Sequence, residues 1–119
     1  MHKVSCHCKS VEIEVNNSNM VDNLVRCNCS LCKKRGAIMA IVDFENIQIV
    51  KGEDKLKLYQ FHTNTAKHYF CSICGIYTHH QTRVNTNKYG INIGCIDEID
   101  LLKLINIKNI DGANHPLDK

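Results

Sequence analysis

A chain of 119 residues is long enough to bury one hydrophobic core and too short for two. An apolar content of 44% with a single proline excludes a disordered chain, and 15 Lys and Arg against 12 Asp and Glu exclude an acidic tail and a strongly basic surface alike. The longest unbroken apolar run, residues 37–42, falls far short of the roughly 20 residues that span a bilayer, and the N-terminal Met1-His2-Lys3-Val4-Ser5-Cys6 has no apolar export segment, so a cytoplasmic protein is expected.

Residues 10–15 alternate Val11, Ile13 and Val15 with Glu12 and Glu14, which predicts a strand with one covered face, followed by a polar loop at 16–19. Residues 30–35 hold the best helical pattern, a turn or two, with Ser30 placed to cap it and Gly36 to end it. Residues 37–44 are almost continuously apolar and predict a strand covered on both faces. The runs 47–50 and 56–61, separated by the turn Lys51-Gly52-Glu53-Asp54, predict a hairpin or a closely spaced strand pair. Short strands are expected at 69–71, 76–80 and 89–96, and a second helical turn at 101–104. Many short strands between turn signals indicate a mainly β fold. With no repeat or linker to divide it, the chain is expected to form one domain over 1–119.

Eight cysteines carry the chemistry: Cys6 and Cys8; Cys27, Cys29 and Cys32; Cys71 and Cys74; and Cys95 alone. In a chain without an export signal, closely spaced cysteines are better read as thiolate metal ligands than as disulfides. Cys71-Ser72-Ile73-Cys74-Gly75 offers half of a tetrahedral zinc site, its glycine permitting the positive φ that closes the turn. Cys6-His7-Cys8 is the natural other half, with His7 directed away, and the resulting structural zinc would join the N-terminus to a distant hairpin. Cys27, Cys29 and Cys32 offer three thiolates within six residues, a tripod for a second zinc. Spacing leaves two readings of its fourth position, an open place for water or substrate or closure by Cys95 or a histidine. An iron–sulfur cluster fits less well, since C-x-C-x-x-C is not a common ferredoxin spacing. Seven thiolates and two divalent ions bring the formal +3 to zero, which removes the electrostatic case for a nucleic-acid partner.

His79 and His80, adjacent in an expected strand, point to opposite faces; each reads either as a core-edge imidazole or as a proton donor beside the metal. His80 would share its face with Ile76 and Thr78, and His79 with Tyr77 and Gln81. Cys95 reads as a small buried hydrophobe or as a thiol near the tripod. Arg83, Lys67 and Arg35 are the cations placed to pair with substrate carboxylates, or to be simply solvated.

These motifs together resemble the glutathione-dependent formaldehyde-activating (GFA) enzyme family. The resemblance rests on Ser5-Cys6-His7-Cys8, on Cys27-Asn28-Cys29-Ser30-Leu31-Cys32, on TAKHYFCSICGIYTHHQTR at 65–83, on YGINIGCID at 89–97 and on DGANHP at 111–116, in order along nearly the whole chain. It implies a β-tent fold of layered antiparallel sheets tied by zinc. Cys6, Cys8, Cys71 and Cys74 would hold a structural zinc; Cys27, Cys29 and Cys32 would hold a second, catalytic-type zinc whose open position receives substrate. The implied activity is that of a carbon–sulfur lyase in formaldehyde detoxification, reversibly joining glutathione (or a related thiol) to formaldehyde (or a related aldehyde) to give S-hydroxymethylglutathione. Zinc-bound thiolate would attack the aldehyde carbon, and the alkoxide would take a proton from water or from His79 or His80, with Arg83 and Lys67 as partners for the glutathione carboxylates. Thr86 stands where many relatives of this pattern carry proline, a change that bears on loop rigidity more than on chemistry. The alternative to the lyase is a non-catalytic zinc module that binds a thiol or a protein partner.

Overall fold

The computed structural model describes residues 1–114, so His115 and Pro116 of the DGANHP motif, and the last five residues of the expected domain, lie outside the described residues. Short apolar runs broken by Gly, Asn and Asp produce short strands, in chain order β1 (His2–Ser5), β2 (Glu12–Val15), β3 (Leu24–Cys27), β4 (Met39–Asp43), β5 (Ile47–Lys51), β6 (Leu56–Tyr59), β7 (Lys67–Cys71), β8 (Tyr77–Gln81), β9 (Lys88–Asn92) and β10 (Lys108–Ile110). One α-helix, α1 (Ser30–Arg35), and single 3₁₀ turns, among them Ile93–Cys95 and Leu101–Lys103, complete the described elements.

Two sheets result. The smaller runs β1-β2-β5 and the larger β10-β3-β4-β9-β8-β7-β6, antiparallel throughout except that β10 lies parallel to β3. Val4, Ile13 and Val15 of the small sheet are wholly buried in one cluster with Leu24, Val42 and Ile91 of the large one, so the core lies between the layers. Alternation in β2 is what makes this possible, since it commits one face to the core and leaves Glu12 and Glu14 only half-buried on the other. Among the described residues no helix is long and apolar enough to cross a membrane.

The helical turn expected at 30–35 is present with those bounds, and the strands expected at 10–15, 37–44, 69–71 and 76–80 and the turn at 101–104 are present with shifted ends. The pair expected across Gly52 is not: β5 joins β2 in the small sheet and β6 joins β7 in the large one. The turn there is a corner between layers. The strand expected through residue 96 stops at Asn92, whose side chain accepts from Gly94 N and turns the chain into the 3₁₀ segment.

Opposite faces for His79 and His80 hold, but Tyr77 changes side. In the β7–β8 ladder Tyr69 faces His79 while Phe70 faces Tyr77, so Thr78 is an extra residue, a β-bulge, and Tyr77 comes round to His80. The Tyr77 hydroxyl lies 2.6 Å from His80 Nδ1.

Candidate metal centre and active site

The loops flanking β1 and β7 bring Cys6, Cys8, Cys71 and Cys74 together, with all four sulfurs within 4.8 Å of one another. The Cys6–Cys8 and Cys8–Cys71 sulfur separations are both 3.7 Å. A tetrahedral ion with Zn–S bonds of about 2.3 Å requires edges of about 3.8 Å, so this donor set fits zinc. Backbone amides already point at the sulfurs, Val11 N to Cys6 and Ile73 N to Cys71, as thiolates require. Gly75 takes φ 78°, closing the knuckle as its position predicts. His7 is exposed and outside the sulfur group. Cys95 lies in the core near these cysteines, 4% exposed, with its thiol donating to Tyr77 O at 3.5 Å and burial pushing it up to about 12; it behaves as a small hydrophobe.

The second group forms where β3 runs into α1. Cys27, Cys29 and Cys32 place three sulfurs within 4.8 Å, and among the described residues no fourth Cys, His, Asp or Glu belongs to the group. The helix cap is Cys29 rather than the expected Ser30: its sulfur accepts from Cys32 N at 3.3 Å, while Cys29 N donates to Cys27 Sγ at 3.4 Å. A sulfur thus performs the capping that a hydroxyl usually does, so forming the helix and presenting the tripod are one event. Gly36 ends the helix at φ 68° as its position predicts. The hydrogen bond from the Cys32 thiol draws Cys27 down to about 5, and this donor set also fits a divalent thiophilic ion.

The C-terminal segment closes over this tripod. Asn28, between two of the cysteines, donates from Nδ2 to Asp111 Oδ1 at 3.0 Å and accepts from Ala113 N at 3.0 Å, while its own amide donates to Ile110 O. That clamp sets Gly112 against Cys27 Sγ, where any Cβ would collide. Neither residue was singled out by the cysteine spacing; their signal lay in the DGANHP motif and in the Asn between Cys27 and Cys29.

A cavity of about 830 Å³, within the usual size of small-molecule sites, opens on the tripod. Met39, Ile41, Phe61 and Val84 supply apolar wall, and His68, His80 and Arg83 supply polar groups. Of the candidate proton donors, His80 lines it and His79 does not. His79 is 2% exposed, stacked 4.8 Å from Tyr69 and edge-on to Tyr89, with Nδ1 2.8 Å from Thr78 Oγ1. Burial pushes His79 down to about 4 and His80 to about 3, so both rings are neutral at physiological pH. His80 stacks on His68, and its ring occupies the space above Gly90, where a Cβ would collide with Cε1. Of the candidate cations, Arg83 lines the cavity; Lys67, exposed at the start of β7, does not. Arg35, half-buried, does not line this cavity: its guanidinium lies over the Tyr77 ring and reaches both His68 and Cys32. Tyr77, His68 and Asn28 are site residues that spacing did not reveal, because the bulge, the stack and the clamp are long-range contacts.

Comparison with known proteins agrees with this geometry. The family pattern described as glutathione-dependent formaldehyde-activating enzyme matches residues 1–107. The crystal structure of a Rhodobacter sphaeroides protein, a Northeast Structural Genomics target, matches with a TM-score of 0.85 and 44% identity, covering 91% of this chain and 99% of that one. With its tripod and its four-sulfur group in place, the chain belongs to the glutathione-dependent formaldehyde-activating (GFA) enzyme family.

Proposed function

We propose that this protein is a zinc-dependent carbon–sulfur lyase that reversibly joins glutathione, or a related thiol, to formaldehyde or a related aldehyde. In this reading residues 1–119 act as one cytoplasmic zinc-binding unit whose partners are small molecules rather than nucleic acid or membrane. Two ions serve it, a structural zinc on Cys6, Cys8, Cys71 and Cys74 and a second on Cys27, Cys29 and Cys32. The observation that carries the reading is a three-membered sulfur group that lines a cavity, with no fourth Cys, His, Asp or Glu in the group among the described residues.

Zinc on the tripod would supply one thing, a thiol held as thiolate at neutral pH. The chain's own residues do the rest. Phe61, Met39, Ile41 and Val84 shed water from the space in which the aldehyde meets the sulfur. As the carbon–sulfur bond forms, the carbonyl π bond breaks and charge collects on oxygen. His80 is assigned the role of hydrogen-bond donor to that oxygen. In this reading the Tyr77 hydroxyl, 2.6 Å from His80 Nδ1, donates to it, which leaves the ring's proton on Nε2. Burial raises Tyr77 above its ordinary value, which keeps it a phenol and a donor. A neutral imidazole stabilises the alkoxide without protonating it, and solvent supplies the proton. Arg83, at the cavity wall, is the partner for a glutathione carboxylate.

Magnetisation-exchange NMR on an equilibrated mixture of glutathione and formaldehyde tests this. Exchange that rises in proportion to zinc-loaded protein and disappears in Cys29→Ser is expected. Exchange equal to the spontaneous background contradicts the lyase and leaves the binding module.

A further inference from the structure

Three thiolates around a divalent ion carry a net negative charge, and a fourth thiolate would add another. Unless something offsets that charge, the tripod repels the ligand that the proposed chemistry needs. Arg35 is placed to offset it. One turn beyond Cys32 on the same short helix, its Nη2 donates to Cys32 Sγ at 3.6 Å and its Nη1 to His68 Nδ1 at 3.2 Å. Its Cζ sits 3.5 Å from the centroid of the Tyr77 ring. A guanidinium has no acceptor, so His68 must accept at Nδ1 and carry its proton on Nε2. The Nε of Arg35 is buried with no hydrogen-bond partner, an arrangement a solvated surface arginine would not adopt. Three contacts in three directions therefore hold this cation against one sulfur of the tripod.

We propose that Arg35 is a positioning residue that sets how strongly the fourth position of the tripod takes an anionic thiolate. It draws negative charge from Cys32 and holds its own charge in place by stacking on Tyr77, as only a planar, permanently charged group can. The proposal rests on the zinc reading of the tripod. It goes beyond the lyase reading by naming what makes the site selective for a charged ligand over a neutral one.

The test uses protein loaded with cobalt(II), whose d–d bands report the fourth ligand, and compares wild type with Arg35→Gln and Arg35→Lys. Two probes are titrated: 2-mercaptoethanol, which binds as thiolate, and imidazole, which binds neutral. In Arg35→Gln the thiol affinity should fall by at least about tenfold while imidazole affinity stays within about twofold. Arg35→Lys should recover part of the loss, since it restores charge without the fork. Unchanged thiol affinity in Arg35→Gln would overturn the proposal. So would an equal fall for both probes, or a variant that no longer holds cobalt at the tripod, because Arg35 would then hold the site together instead of tuning it. Glutathione titrated into the wild type is a separate arm: cobalt bands that respond to 2-mercaptoethanol and ignore glutathione contradict glutathione as the thiol of the proposed function and leave the Arg35 comparison intact.

Discussion

Gly112 meets Cys27 so closely that a Cβ at position 112 would overlap the Cys27 sulfur and stand 3.1 Å from Cys29 Cβ. The contact is held from the other side by Asn28, bonded to Asp111 and to Ala113 N. A residue from the end of the described chain thus decides whether three cysteines near its start can converge. Gly112→Ala should weaken zinc at the tripod roughly 10–100-fold, the usual cost of disturbing the support of a metal ligand. The four-sulfur group, on other elements, should keep its ion. Chelator competition reads both; equal loss from the two groups would contradict this placement.

Tyr77→Phe removes the phenol proton and keeps the ring on which Arg35 lies. His80 then loses what fixes its tautomer. Exchange catalysis should fall about tenfold, less than the roughly 10²–10³ typical when an oxyanion donor itself is removed. Zinc content should not change. Exchange-rate measurements on the two proteins at equal zinc loading check this.

Buried neutral histidines make stability depend on pH with a definite sign. His68 and His79 are pushed down to about 4, and His80 to about 3, by burial, with the Arg35 charge adding to the shift in His68 and His80. In the unfolded chain they titrate near 6.5, so between that value and about 4 the unfolded state binds protons that the folded state does not. Their contribution is fully present above pH 6.5 and is lost progressively as pH falls from there to about 4, and to about 3 for His80. His79 is the cleanest probe, since it packs between Tyr69 and Tyr89 away from both cysteine groups. Urea unfolding of wild type and His79→Gln at pH 7, 6 and 5 should show the wild-type advantage shrinking with acid, by at most about 1.4 kcal/mol per pH unit. A constant difference would contradict burial of a neutral ring.

Thr86 occupies the second position of the turn that Lys88 N closes onto Asn85 O at 3.0 Å, with Asn87 N bonded to Asn85 Oδ1. Proline is favoured at that position because its ring presets φ. Thr86→Pro should raise stability by about 0.4–1 kcal/mol, read as a higher Tm, through a smaller entropy loss on folding. Exchange catalysis should stay the same, since Thr86 is exposed and outside the tripod cavity.

The cysteine spacing marked the three local clusters, because ligand spacing is a local property of the chain; the meeting of Cys6 and Cys8 with Cys71 and Cys74 is long-range and was expected only because each pair is half of a tetrahedral site. β2, β4 and α1 were legible for the same reason, through alternation, an apolar run and a terminating glycine. β3 and β10 were not. Leu24–Cys27 is only four residues long, and Lys108–Ile110 is an exposed three-residue edge whose parallel register comes from β3 across a long stretch of sequence. The bulge at Thr78 was equally silent, and it alone brings Tyr77 to His80. Arg35 read as a carboxylate partner or a solvated cation because nothing near it in sequence reveals the ring it lies on.

In the proposed function the two sulfur groups hold separate ions with separate jobs. Zinc content per folded chain, measured by elemental analysis on wild type and Cys29→Ser with circular dichroism on the same samples, tests it most directly. Two ions are expected in the wild type, one in the variant and the same β spectrum for both. One ion in the wild type, or a variant that unfolds with the loss of its tripod, would contradict it.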